Sequence, residues 1–291
     1  MTERLGYLDR LAARSRAVGS VLCLGLDPDI AALPVGFSRD LAGLERFARL
    51  LVEAAGPYAA AIKPNLAFFE AHGSPGMAAL ERIRAAIPAE IPVIADAKRG
   101  DIGSTAARQA TALFDLLGAD AVTVNPYLGS EAVEPLLERV DRFAYVLCRT
   151  SNPGAGELQG LEVAAHADAP AEPLYARVAR LANGWGPGGT VGLVVGATAP
   201  AELARIRVIA PGLAFLVPGV GAQGGEVEPV LAHGPATDAP AGPRVGRGLL
   251  VNVSRGIAAA VLEDAPGVSR DPGERLARAA ADWAARLPVL T

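Results

Sequence analysis

Residues 94–105 read Ile-Ala-Asp-Ala-Lys-Arg-Gly-Asp-Ile-Gly-Ser-Thr, a dense set of groups able to carry acid–base chemistry or stabilise charge. Asp96, Lys98 and Asp101 follow directly on an apolar run, 91–95, that reads as a buried strand. Alternation along a strand places Asp96 and Lys98 on one face. Most pairs of a carboxylate and an ammonium only neutralise each other. This pair falls where a strand empties into its loop, which is where parallel α/β folds put their chemistry.

Other apolar runs end in the same manner. Leu26-Asp27-Pro28, Lys63-Pro64-Asn65, Asn125-Pro126-Tyr127 and Arg149-Thr150-Ser151-Asn152-Pro153-Gly154 each close one. Pro218-Gly219-Val220-Gly221-Ala222-Gln223-Gly224-Gly225 and Asn252-Val253-Ser254-Arg255-Gly256 close two more. Each alone could be a turn with a solvated charge; their joint occurrence points to one rim. The last two fit a phosphate site. Glycines free backbone N–H groups to face an anion, and a following helix N-terminus adds its dipole. Gln223 supplies amide donors and Arg255 a bidentate cation. Gly219, Gly221 and Gly224 satisfy the dinucleotide spacing, but not in a first βαβ unit and without the acidic residue that should follow.

The elements that must position these groups alternate. Strands are expected over 20–26, 59–63, 91–95, 120–124, 143–148, 190–196, 213–217 and 248–253. Helices are expected over 40–55, 76–87, 104–117, 130–140, 173–184, 200–209, 224–232, 256–263 and 273–287. Eight strand–helix units in a chain of 291 residues fit a single (β/α)₈ TIM barrel occupying 1–291 as one domain, with an open doubly wound sheet as the alternative. Residues 153–172 and 234–247 read as long loops, which are often lids or mobile insertions.

Composition narrows the class. A net charge of −4 without a Lys/Arg run argues against a nucleic-acid partner. Neither an apolar signal core nor 18 uninterrupted apolar residues is present, so no membrane partner is expected. Cys23 and Cys148 lie in apolar runs and fit buried thiols of a reducing, cytoplasmic compartment. His72, His166 and His233 lack ligand spacing, so no metal is expected, and no nucleophile elbow or Cys/His pair points to hydrolysis.

The set Asp27, Lys63, Asp96-x-Lys98-x-x-Asp101, Ser151-Asn152-Pro153-Gly154, Pro218-Gly219-Val220-Gly221-Ala222-Gln223 and Ser254-Arg255-Gly256 resembles the orotidine 5′-phosphate decarboxylase family, from about residue 20 to residue 260. Lys63-Pro64-Asn65 and Val124-Asn125-Pro126-Tyr127-Leu128-Gly129 resemble its longer bacterial subgroup. The resemblance implies a homodimer with active sites shared across the interface. It implies conversion of orotidine 5′-monophosphate to UMP and CO₂ without metal or organic cofactor. It further implies Lys98, Asp96, Asp101 and Lys63 as catalytic residues, and Asp27, Ile102, Thr105, Ser151, Pro218, Gln223 and Arg255 as substrate contacts. Asp101, Ile102 and Thr105 are implied to enter the partner's site.

Two enzyme alternatives and one binding alternative stand beside this. A Mg²⁺-dependent 3-keto-L-gulonate 6-phosphate decarboxylase shares Asp-x-Lys-x-x-Asp, but needs further carboxylate ligands where strand two offers Lys63. A Schiff-base aldolase needs a neutral lysine, which Asp96 and Asp101 disfavour. A non-catalytic nucleotide-phosphate-binding barrel needs only the phosphate grip.

Overall fold

Eight runs rich in Val, Leu, Ile and Ala are extended and largely buried on both faces, as parallel strands covered by helices must be. They are β1 (Leu22–Leu26), β2 (Ala61–Pro64), β3 (Ile94–Arg99), β4 (Ala121–Val124), β5 (Phe143–Arg149), β6 (Val191–Val195), β7 (Ala214–Pro218) and β8 (Leu249–Val253). The computed structural model describes residues 5–166, 169–221, 223–262 and 269–290. Ala222 of the glycine-rich run, and residue 263 at the end of one expected helix, lie outside them. All eight strands pair in parallel, in the order β2-β1-β8-β7-β6-β5-β4-β3. Bridges between Ile62 and Val93 and between Asn65 and Asp96 join the two ends of the sheet. The (β/α)₈ barrel is therefore the fold, and the open sheet is excluded.

Alternation along the strands makes two cores. One side chain in two packs outward against the helices. The other faces inward, where Cys23, Ala61, Ile94, Phe143, Tyr145 and Leu250 form one cluster. Helix Tyr7–Val18, which is not among the expected helices, sends Tyr7, Leu8 and Leu11 into that inner cluster. Tyr7 stacks on Phe143 with ring centroids 4.8 Å apart, closing the end at which the strands begin. Chemistry is left the opposite rim.

Several element boundaries differ from expectation. The stretch 130–140 is helical only over Glu134–Leu137, because Pro135 is tolerated only in a first turn and the chain must then reach β5. The helix expected over 104–117 is α-helical over Gly103–Ala110 and continues as a wider π-type turn, Thr111–Leu116. Loop 153–172 contains helix Ala155–Gln159 and a ribbon of Glu162–Val163 against Glu172–Pro173, anchored where Glu172 accepts hydrogen bonds from Arg177 and Arg180, each at 2.9 Å. Loop 234–247 is no lid: Ala236 and Ala241 are fully buried in the inner cluster.

At the closed end, Asp120 is 1% exposed and accepts from Arg10 and from the Val93 N–H, both at 2.8 Å. Asp120→Ala should lower stability by about 3 kcal/mol, because it strands buried donors. Urea unfolding checks this, with the rim chemistry of the folded fraction expected to be unchanged.

Candidate active site

The strand ends bring four polar groups into one cluster. Lys63, in β2, is 5% exposed, and its Nζ donates to Asp96 Oδ2 at 2.6 Å. Lys98 Nζ donates to the other oxygen, Oδ1, also at 2.6 Å. Thr123, in β4, donates its hydroxyl proton to the same Oδ1 at 2.9 Å. Burial alone would raise the Asp96 carboxyl, but Lys63 and Lys98 outweigh it and hold the group far below the usual carboxylate range. Lys63 is likewise pushed down by burial and raised more by Asp96 and Asp27, so it is a cation. The two lysines differ in access: the Lys98 side chain is 51% exposed and that of Lys63 only 6%. Lys98 is thus the cation that faces the open mouth.

Simple alternation does not produce this arrangement. β3 runs on to Arg99, beyond the expected 91–95, and its pairing with β4 shifts between Ala95 and Arg99. Lys98 sits inside that bulge with φ +49°, in the left-handed region where few non-glycine residues are found. Gly100 then passes so close to β4 that a Cβ there would lie 2.7 Å from the Asn125 carbonyl oxygen. Thr123 is not among the expected site residues, although one hydroxyl inside the apolar run Ala-Val-Thr-Val is a visible signal.

The remaining expected residues fall into three places. Ser151, at the end of β5, donates to Gln223 Oε1 at 2.7 Å. Gly219, beside Pro218 at the end of β7, has φ +97°, and a Cβ on it would lie 2.9 Å from that of Ser151. Asp27 and Arg255 line one cavity of about 490 Å³ with Phe47, Phe68 and Ser254. Asp27 Oδ1 is buried and accepts no hydrogen bond from any described residue. The helix expected over 256–263 begins as a single turn, Arg255–Ala258. It continues as a 3-10 turn, Ala259–Leu262, and Arg255 is exposed at its start. A larger hollow of about 630 Å³, near Ser130, Glu134 and Trp185, contains none of these groups.

Asp101, Ile102 and Thr105 stand apart. Asp101 accepts from the Ile102 N–H at 2.8 Å, and its own N–H donates to the Ala132 carbonyl at 3.1 Å. It makes no ion pair among the described residues. Ile102 is 63% exposed, and Thr105 is exposed at the start of helix Gly103–Ala110.

The family model described as orotidine 5′-phosphate decarboxylase / HUMPS matches residues 20–265. The chain belongs to this family. An orotidine 5′-phosphate decarboxylase of Herpetosiphon aurantiacus is 46% identical over 252 residues, covering 86% of this chain and 88% of its own. One of Haloarcula marismortui is 47% identical over 285 residues, covering 97% and 96%. The solved OMP decarboxylase of Leishmania donovani superposes with a TM-score of 0.79 at 41% identity, covering 97% of each chain. The family assignment read from the strand-end residues thus stands. Among the described residues, no helix is long and apolar enough to cross a membrane.

Proposed function

We propose that this chain decarboxylates orotidine 5′-monophosphate to UMP and CO₂ without a metal or organic cofactor. The observation that carries the proposal is the chain of charge Lys63–Asp96–Lys98 at the open rim. Breaking the bond from C6 to the carboxylate leaves its electron pair on a carbon with little resonance relief. Without an electron sink, fixed charge must stabilise that pair. Lys98 is the accessible cation of the cluster. Its ammonium faces the developing carbanion and then transfers a proton to C6. Asp96 keeps Lys98 charged and aimed, and lies beside the departing carboxylate. Lys63 keeps Asp96 ionised and reaches towards the ribose.

Asp27, with its unpartnered buried oxygen, accepts a ribose hydroxyl. Ser151 hydrogen-bonds the pyrimidine edge, Pro218 lies along the substrate, and Gln223 and Arg255 grip the phosphate. Binding energy from that remote grip is expressed in the transition state. A Mg²⁺-enediolate reaction suits this donor set poorly, because ammonium groups occupy both oxygens of Asp96.

The active unit is a homodimer in which each site receives Asp101, Ile102 and Thr105 from the partner. Support comes from the position of Asp101, which contacts none of its own chain's charged rim groups. Large apolar side chains on the two segments that meet there are also open: Ile102 is 63% exposed, and Tyr127 and Leu128, between Asn125 and Ala132, are 75% and 53% exposed. Exposed large apolar side chains suit an interface.

Loss of the orotate chromophore on addition of the purified protein, before and after EDTA, tests the activity. Equal rates are expected; no turnover, or turnover lost to EDTA, rejects it. Arg255→Ala should raise KM and lower kcat less, since Lys98 remains and the exposed Arg255 guanidinium loses charge-assisted hydrogen bonds to phosphate worth roughly 1.5–3 kcal/mol. Steady-state kinetics with an unchanged kcat/KM would move the phosphate site elsewhere.

A further inference from the structure

The bulge in β3 has an unusual support. Ala95 pairs with Val122 and Arg99 with Val124. Three residues of β3, Asp96, Ala97 and Lys98, therefore stand against one residue of β4, Thr123. In an unbroken ladder, the N–H groups of Ala97 and Lys98 would find carbonyl partners. Here both donate to Thr123 Oγ1, at 3.0 and 2.9 Å. A hydroxyl has one proton and two acceptor lone pairs. The two N–H groups occupy the lone pairs, so the proton has one direction left, towards Asp96 Oδ1 at 2.9 Å. That is the oxygen which also receives Lys98 Nζ at 2.6 Å. One 2%-exposed side chain thus holds the backbone of Lys98, in its left-handed conformation, together with the carboxylate that aims its ammonium.

We propose that Thr123 is a positioning residue for the decarboxylation. Its hydroxyl fixes the three-residue bulge and the Asp96 rotamer as one unit, and so sets where the Lys98 ammonium stands relative to the reacting carbon. This rests on the activity proposed above. Thr123 acts through Asp96 and Lys98, with no direct role at C6 or at the substrate's own carboxylate. Its β-branch matters as well, because it restricts χ1 and keeps the hydroxyl pointed into the bulge.

The test compares Thr123→Val, Thr123→Ala and Thr123→Ser with the parent in steady-state decarboxylation and in UMP binding. Valine keeps the shape and removes the hydroxyl. Alanine leaves room for a water to satisfy the two N–H groups, so it carries the test if the valine variant does not fold. A displacement of about 1 Å at a reacting group costs about a hundredfold in rate. Both variants should therefore lose about a hundredfold in kcat, with KM and UMP affinity within about threefold of the parent. Serine restores the three hydrogen bonds and should recover kcat to within about tenfold. A kcat within about threefold of the parent in valine or alanine overturns the inference. So does a loss carried by KM, or a serine variant as impaired as the alanine one. A parent without turnover overturns the decarboxylase reading and this inference together, whereas an active parent with unaffected variants overturns the inference alone.

Discussion

Lys98→Ala is expected to reduce turnover at least about ten-thousandfold, while the barrel stays folded and binds UMP to within about tenfold of the parent. General acid catalysis is typically worth 10²–10⁴, and a fixed charge aimed at a developing one adds a comparable factor. Both roles fall on the same ammonium. Folding should survive, because the Lys98 side chain is half exposed and its removal leaves Asp96 paired with Lys63 and Thr123. UMP affinity should survive, because Asp27, Ser151, Gln223 and Arg255 are untouched. Single-turnover kinetics and UMP titration measure the two halves separately. Activity within tenfold of the parent would remove Lys98 from the chemistry.

Mixing two inactive variants should restore activity. If each site takes Asp96 and Lys98 from one chain and Asp101 from the other, Lys98→Ala and Asp101→Asn are each nearly dead as homodimers. A mixed dimer holds one doubly damaged site and one wholly native site. Random reassortment of equal amounts makes about half of the dimers mixed, so roughly a quarter of all sites should regain full activity. The experiment unfolds the two variants together, refolds them and titrates active sites. No recovery, with mixed dimers demonstrated by mass spectrometry, would return Asp101 to its own chain. It would also leave the exposed Ile102, Tyr127 and Leu128 without this explanation.

The strands were legible because burial on both faces demands unbroken apolar runs, and the rim residues because each followed such a run. Asp27, Lys63, Lys98, Ser151 and Arg255 stand within two residues of a strand end, while Asp96 lies inside β3, which runs on past the apolar run. What the sequence hid was set by tertiary contacts. The N-terminal helix reads as polar because only Tyr7, Leu8 and Leu11 of its inner stripe are large and apolar, and they plug a barrel that the local pattern cannot foresee. Loop 234–247 reads as a flexible insertion because its buried members are small or turn-forming residues, Gly234, Pro235, Ala236, Ala241 and Gly246. The bulge at Lys98 was invisible because Ala97 and Lys98 fit ordinary alternation; its cause lies in Thr123, some 25 positions further along the chain. Asp101 was readable as a residue by its spacing from Lys98; in the fold it accepts from the Ile102 N–H and makes no ion pair among the described residues.

A carbanion that forms at C6 and takes its proton from an exchangeable group of this protein leaves an isotopic record when the reaction runs in deuterium oxide with EDTA-treated protein and is followed by NMR. The expected result is UMP carrying one deuterium at C6 and one CO₂ per UMP, at a rate independent of EDTA. UMP without deuterium at C6, or no UMP at all, would contradict it.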